Sequence, residues 1–260
     1  MTAYVADIWR CRYFWLSLVK MDLKARYRRS AVGLGWSLVH PLALTVILYS
    51  VFHPIFLSDA PSYALHILTG LVVWNYLTTA TFQGCQCFIQ AEAYIRQYPS
   101  PLAVFPLRGA LGGLIHFLLA LAVVLAAAGS TVGFRNPPVL LSLLPSVLLL
   151  FVLTWCMALL AGFANVLFRD TEHLLQVGFQ ILFYATPIIY PPGMLDDDRL
   201  AWLFQLNPLA AFLRLLRDPI LLGDYPSWAT FATASGTVLV LAGASVFVLH
   251  RFQRRLVFYL

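Results

Sequence analysis

The stretch KMDLKARYRRSAVGLGWSLVHPLALTVILYSVF, Lys20 to Phe52, passes without a linker from a basic segment to a long uncharged one. Lys20, Lys24, Arg26, Arg28 and Arg29 fall within ten residues, and no formal charge follows until Asp59. A water-soluble helix of that length would carry charge on its outer face. The stretch reads instead as a membrane boundary, with cations on the aqueous side and hydrocarbon beyond.

Working outward, the whole chain has the same character. Its 260 residues are 61% hydrophobic and 11% charged, against about 25% charged in soluble domains. Six intervals are free of charge: Ala31–Leu57, Tyr63–Ala91, Gly109–Phe134, Asn136–Phe168, His173–Leu195 and Tyr225–His250. Each is long enough for a helix of about 20 residues, the length that crosses hydrocarbon. Open sheets are excluded in lipid because their backbone groups would go unpaired, and no alternating strands of a barrel are present. The expected fold is therefore an all-α integral membrane protein with six transmembrane helices, near 31–57, 63–91, 109–134, 136–168, 173–191 and 225–250.

With six crossings both termini share one side. Thirteen of the seventeen Lys and Arg fall on that side, which makes both termini cytoplasmic. The excess of cations thus expresses topology, and no basic domain is left over for nucleic acid. Residues 1–30 form a separate cytoplasmic piece before the membrane domain, 31–260. Within it, residues 4–28 place Val5, Ile8, Trp9, Trp15, Leu16, Val19 and Leu23 at roughly helical spacing, the pattern of an N-terminal amphipathic helix in the membrane interface. It serves as an anchor alone or as a docking surface for a cytoplasmic partner. No cleavable signal peptide is expected, because the first apolar run is too long and begins too late.

Two connections are longer than the rest. Glu92–Arg108 is read as a cytoplasmic loop with a short helix followed by Pro99, Pro101 and Pro106. Outside, Pro191-Pro192-Gly193 ends the fifth span, and the apolar residues of 198–220 break at Asn207-Pro208. Two helices too short to span fit that pattern, an external re-entrant pair between spans five and six.

Catalytic and metal motifs are sparse. Neither of the two lysines lies in a phosphate-binding loop, and Cys85-x-Cys87 lacks metal-type spacing and His partners. No metal or cofactor is expected in the chain. Asp196-Asp197-Asp198 reads as a solvated loop. No charge sits mid-span to couple transport to ions, so a pump built this way would be driven by another subunit.

The spans do carry neutral hydrogen-bonding groups. Asn75, Thr79, Gln83, Gln86 and Gln90 recur at steps of four, four, three and four, and His173, Gln176, Gln180 and Tyr184 at three, four and four. Together with the aromatic rings of Trp74, Tyr76, Phe179 and Phe183, such stripes suit a passage for hydroxyl-rich cargo. They equally suit amides bonding between helices, and both readings stand at this point.

Asp22–Phe52 resembles the start of the permease subunits of type-2 ABC transporters that export polysaccharides, O-antigen and teichoic acid among them. FANVLFRDTEHLLQVGFQILFYATPIIYPPGML, Phe163–Leu195, followed by LNPLAAFLRLLRDPIL, Leu206–Leu221, is similar to a second stretch of that family. His40 and His173 depart from it. The resemblance implies a subunit of a bacterial plasma-membrane exporter of lipid-linked glycan, paired as a homodimer with two copies of a separate ATPase that binds ATP and Mg. It implies ATPase contact through the amino-terminal helix and Glu92, Tyr94, Ile95, Arg96 and Tyr98, and an external gate around Trp202, Phe204, Pro208 and Phe212. The glycan path would run along Trp74, Asn75, Thr79, Gln83, Gln86, Gln176, Gln180 and Tyr184. Arg26, Arg28 and Arg29 would meet a lipid pyrophosphate, although their placement also follows from orientation alone. A drug or lipid exporter and a membrane-embedded glycan-processing enzyme are the competing readings.

Overall fold

The computed structural model describes residues 2–28, 33–56, 60–97, 100–190, 207–253 and 256–259. These residues are helical with no strand among them. In order, the helices are α1 (Thr2–Arg10), α2 (Arg12–Tyr27), α3 (Trp36–Phe56), α4 (Ala60–Gln90), α5 (Glu92–Gln97), α6 (Val104–Thr131), α7 (Leu143–Leu167), α8 (Thr171–Ala185), α9 (Pro208–Arg217), α10 (Trp228–Phe252) and α11 (Leu256–Tyr259). Among the described residues four helical stretches are long and apolar enough to cross a membrane: Trp36–Ile55, Val104–Thr131, Pro137–Leu167 and Trp228–Phe252.

The other two expected spans differ from that pattern for separate reasons. Helix α4 has 31 residues, about 46 Å at 1.5 Å per residue, so length is no obstacle. It is less apolar because it is the central helix, packed along α6 and α7 and contacted by α3. Its small residues admit close neighbours. A Cβ at Gly84 would lie 2.4 Å from Ala158 of α7, and one at Gly162 would lie 2.8 Å from the Gly84 carbonyl. Buried polar groups close the same interface. Asn165 donates to the Cys85 carbonyl at 2.9 Å, and the Thr154 hydroxyl donates to Tyr76, which in turn donates to Ala110 of α6. The Gly109–Gly113 pair of α6 also faces α4, against Gln83 and the Tyr76 ring.

Helix α8, expected to continue to residue 191, has only 15 residues and ends at Ala185. Pro187 is the cause, because it disfavours helical backbone at the residue before it and has no N–H to donate. Thr186 is extended, at φ −108° and ψ 137°. Thr186–Ile189 are nonetheless buried, so their carbonyls need protein partners.

Two further boundaries correct the sequence reading. The single amphipathic helix over 4–28 is broken at Cys11, and the Trp15 indole folds back to donate to the Ile8 carbonyl at 3.1 Å. The connection Glu92–Arg108 ends early because α6 begins at Val104. Pro106 sits in its first turn, where the missing N–H is not required. Arg108 is thereby a helical residue facing α2, where a loop residue was expected.

Ile8, together with Tyr4, Phe14 and Trp15 at its margin, packs on a second apolar cluster with Phe88, Phe105, Phe163 and Leu249. Trp9 and Tyr13 stay exposed, with the Arg12 guanidinium 4.6 Å from the Tyr13 ring centre and 5.7 Å from that of Trp9. That is the composition of an interfacial surface.

A candidate translocation path and the clasp after α8

The two polar stripes meet. A cavity of about 600 Å³ lies between α3, α4 and α8, and Trp74, Asn75, Gln176, Gln180 and Tyr184 all line it. Phe179 and Phe183 stand edge-on to Trp74, with ring centres 5.7 and 5.6 Å away, so the wall combines amides with ring surfaces. His40 and Thr78 also line this cavity, and neither was singled out as a path residue from sequence.

The α4 stripe does not, however, keep one face. At 100° per residue Gln83 and Gln90 stand about 80° and 60° round from Asn75, towards α6, whereas Gln86 stands only about 20° round. Thr79 accordingly lines a second cavity of about 360 Å³ between α3, α4 and α6, and accepts no role in the first. Gln83 and Gln90 line a third, of about 270 Å³, between α2, α4 and α6. Gln86 instead donates to the Glu172 carboxylate of α8. The cavities are chained. Asn75, His40 and Pro41 belong to the first two and His116 to the last two.

On the opposite side of α8's end, Asn207 performs two tasks. Its Nδ2 donates to the Ala185 carbonyl at 3.0 Å and to the Thr186 hydroxyl at 2.8 Å, and its Oδ1 accepts from Leu209 N at 2.9 Å. One side chain thus closes α8 and caps α9, whose first position is Pro208. At the other end of α9 the buried Arg217 donates to the carbonyls of Pro187 (2.6 Å), His66 (2.8 Å) and Ile188 (3.1 Å). The Tyr63 hydroxyl donates to Ile189 O at 3.0 Å, and His66 Nε2 meets Tyr190 O at 2.9 Å. The non-helical stretch after α8 is therefore satisfied by α4 and α9. Burial pushes the neighbouring Asp218 carboxyl above its ordinary range, with Arg214 pulling against it.

The remaining expected residues are scattered by comparison. Arg28 is exposed at the end of α2, while the Arg26 side chain and Arg29 lie outside the described residues. In α5, Glu92 and Arg96 pair at 2.9 Å, Tyr94 stands edge-on to Phe14 of α2 at 6.0 Å, and Ile95 packs on the second apolar cluster. Tyr98, Trp202 and Phe204 lie outside the described residues. Phe212 is fully buried, a packing residue of α9. Asp22 is paired with Arg108, and Asp170 is exposed. Among the described residues no three His, Cys, Asp or Glu come close enough to hold a metal. Sequence reasoning missed Arg217 and Arg108 as structural groups: Arg217 lies within the expected re-entrant helix pair of 198–220 and Arg108 in the expected loop Glu92–Arg108, and neither was given partners.

Known proteins align with most of this chain. The chain is 27% identical over 233 residues to an O-antigen export system permease protein, RfbA, of Klebsiella pneumoniae, covering 88% of this chain and 89% of the relative. A relative of the same name from Myxococcus xanthus is 26% identical over 216 residues, with 82% of each chain covered. The family model for the ABC-2 type transporter matches residues 13–221, from α2 through α9 and the π-helical turn after it. The chain belongs to the ABC-2 type transporter family of membrane proteins.

Proposed function

We propose that this chain is the permease subunit of an ATP-driven exporter that moves a lipid-linked polysaccharide outward across a bacterial plasma membrane. The observation that carries the reading is the cavity where Asn75, Gln176 and Gln180 meet Trp74 and Tyr184. Neutral amides exchange hydrogen bonds with hydroxyl-rich cargo, ring faces cover the apolar faces of sugars, and no fixed charge holds the polymer in place. The relatives' printed names support the cargo class.

In this reading the chain crosses six times. The four apolar helices are joined by α4 and by α8 extended through 186–190, which leaves both termini cytoplasmic. Helix α9 is the second half of the external re-entrant pair. The subunit works as a homodimer with two copies of a separate P-loop ATPase. That partner binds ATP and Mg and drives the motion through α1, α2 and α5, and this chain itself catalyses nothing. Arg26, Arg28 and Arg29 receive the lipid carrier's pyrophosphate at the cytoplasmic boundary.

The test is co-purification. A P-loop ATPase is expected to accompany the tagged chain, and lipid-linked glycan is expected to stimulate ATP hydrolysis by the reconstituted pair. ATP turnover or sugar transfer by the chain alone overturns the reading.

A further inference from the structure

The third cavity holds an arrangement that the transport path does not require. Among the described residues the ion pairs Asp7–Arg10 and Glu92–Arg96 lie within single helices, whereas Asp22–Arg108 joins α2 to α6. Arg108 donates through both Nε and Nη2 to the two oxygens of Asp22. Guanidinium offers that same two-point edge to a phosphate. The rest of the wall can donate as well, through the amides of Gln83 and Gln90 and the ring of His116. Among the described residues Asp22 is the only acid lining the cavity. The Arg108 side chain is 21% exposed and that of Asp22 42%, so the carboxylate is the partner nearer water and the freer to leave. Arg108 lies in the opening turns of α6, the end that the charge distribution puts at the cytoplasmic boundary, where a carrier lipid's head would lie.

We propose that this cavity is a binding subsite for the pyrophosphate of the export substrate's carrier lipid, and that Asp22 occupies Arg108 until the headgroup displaces it. The proposal rests on the exporter reading above. Displacement removes this ion pair between α2 and α6 while Tyr27 still meets His116 at 3.2 Å, so substrate arrival loosens one of the ties on the segment that continues into the basic boundary. The rest of the wall is already suited to the anion, because removing Asp22 leaves only donors and neutral groups.

The experiment uses the chain with its ATPase partner in nanodiscs of zwitterionic lipid and measures equilibrium binding of radiolabelled polyprenyl pyrophosphate. Asp22→Asn is expected to tighten binding roughly two- to fivefold, the range for release of a partly exposed ion pair. Arg108→Gln is expected to weaken it about tenfold or more, as loss of a charge-assisted pair of hydrogen bonds does. Gly112→Leu supplies a plug. Gly112 lines the cavity and a Cβ there meets no atom within 4 Å, so the larger side chain starts into open space, and binding is expected to be lost while the complex still assembles.

Equal weakening by Asp22→Asn and Arg108→Gln would make the pair a helix-to-helix strut only and overturn the proposal. Undiminished binding in Gly112→Leu would do the same. Two competitors identify the source of the phosphate. Inorganic pyrophosphate that displaces the lipid at equal concentration would make the site one for soluble anions, and polyprenol that binds as tightly would remove the phosphate altogether. If the wild-type complex assembles, hydrolyses ATP and binds no polyprenyl pyrophosphate, it is the cargo assignment that fails.

Discussion

Arg217 Nη1 donates to the Pro187 carbonyl at 2.6 Å, across the gap where α8 has lost its backbone ladder. The same guanidinium reaches His66 O of α4 and Ile188 O, so one side chain supports three carbonyls from two segments. Arg217→Met is expected to destabilise the chain by about 3 kcal/mol or more, because buried carbonyls lose their donors at about 1–3 kcal/mol each. Arg217→Lys should recover little, since a single ammonium cannot span the fork. Thermal unfolding of the purified chain in nanodiscs measures both. An unchanged midpoint for Arg217→Met would mean that water, and not Arg217, satisfies this stretch.

Gly70 makes room for that guanidinium. A Cβ there would lie 2.5 Å from Arg217 Nη2 and 3.1 Å from the Ile188 side chain. Gly70→Ala alone should cost about 1–3 kcal/mol through overpacking. In an Arg217→Met background it should cost markedly less, because the nearer clash is gone. The double-mutant cycle reads that coupling directly, and strictly additive losses would refute the packing relationship.

The clasp was the part of the fold least legible in the sequence. Charge-free runs gave α3, α6, α7 and α10 because their outward surfaces face lipid, and composition records that contact. Pro191-Pro192-Gly193 drew the eye as the end of the fifth span, while the break falls earlier, at Thr186-Pro187. Arg217 falls within the expected re-entrant helix pair, where it counts only as a charge. The available signal was its place four residues after Leu213, on the apolar face of α9, where a charge needs partners. The site was legible as residue types and less so as directions. Asn75, Gln176 and Gln180 do share a cavity, but 15 residues of helix rotate far enough to send Gln83 and Gln90 elsewhere. His40, His116, Asp22 and Arg108 join the cavities only through tertiary packing, which no local spacing encodes.

The arginines of the basic segment separate charge from shape. Replacing Arg26, Arg28 and Arg29 with Lys retains the positive side and so should leave topology intact. Export should nonetheless fall several-fold, because an ammonium cannot bind phosphate oxygens through a two-point fork. Protease protection reports the topology, and surface glycan reports export. Undiminished export in the triple Lys variant would restrict these residues to setting orientation.

The exporter reading makes α5 the link between the partner's motion and the bundle. Tyr94 touches Phe14 of α2 and Ile95 packs on the cluster that α7 and α10 share, so a push on α5 reaches both. Tyr94→Ala removes an exposed ring and should cost little stability. Its expected effect is on coupling, with ATP hydrolysis by the assembled complex near normal and glycan delivered per ATP reduced several-fold. A variant in which hydrolysis and export fall together would place Tyr94 in assembly and not in transmission.

The cavity between α3, α4 and α8 offers the sharpest test of path against glue. Gln180 is exposed in the subunit and lines the cavity without a helix-to-helix hydrogen bond among those described, whereas Gln86 donates to Glu172. If the amides serve only to join helices, Gln86→Leu should damage assembly and Gln180→Leu should do nothing. If Gln180 lines the path, Gln180→Leu should leave assembly and thermal stability within about 0.5 kcal/mol of wild type, the range of surface substitutions. Export should still slow, because sugars passing an apolar wall lose hydrogen bonds they held in water. Trp74→Ala cannot make the same distinction, since its ring also supports Phe179 and Phe183 and its loss would weaken the fold. The decisive comparison is therefore Gln180→Leu against Gln86→Leu, with yield of the assembled complex and rate of glycan export measured on the same preparations. Normal export by the first variant would leave the cavity wall without a transport role.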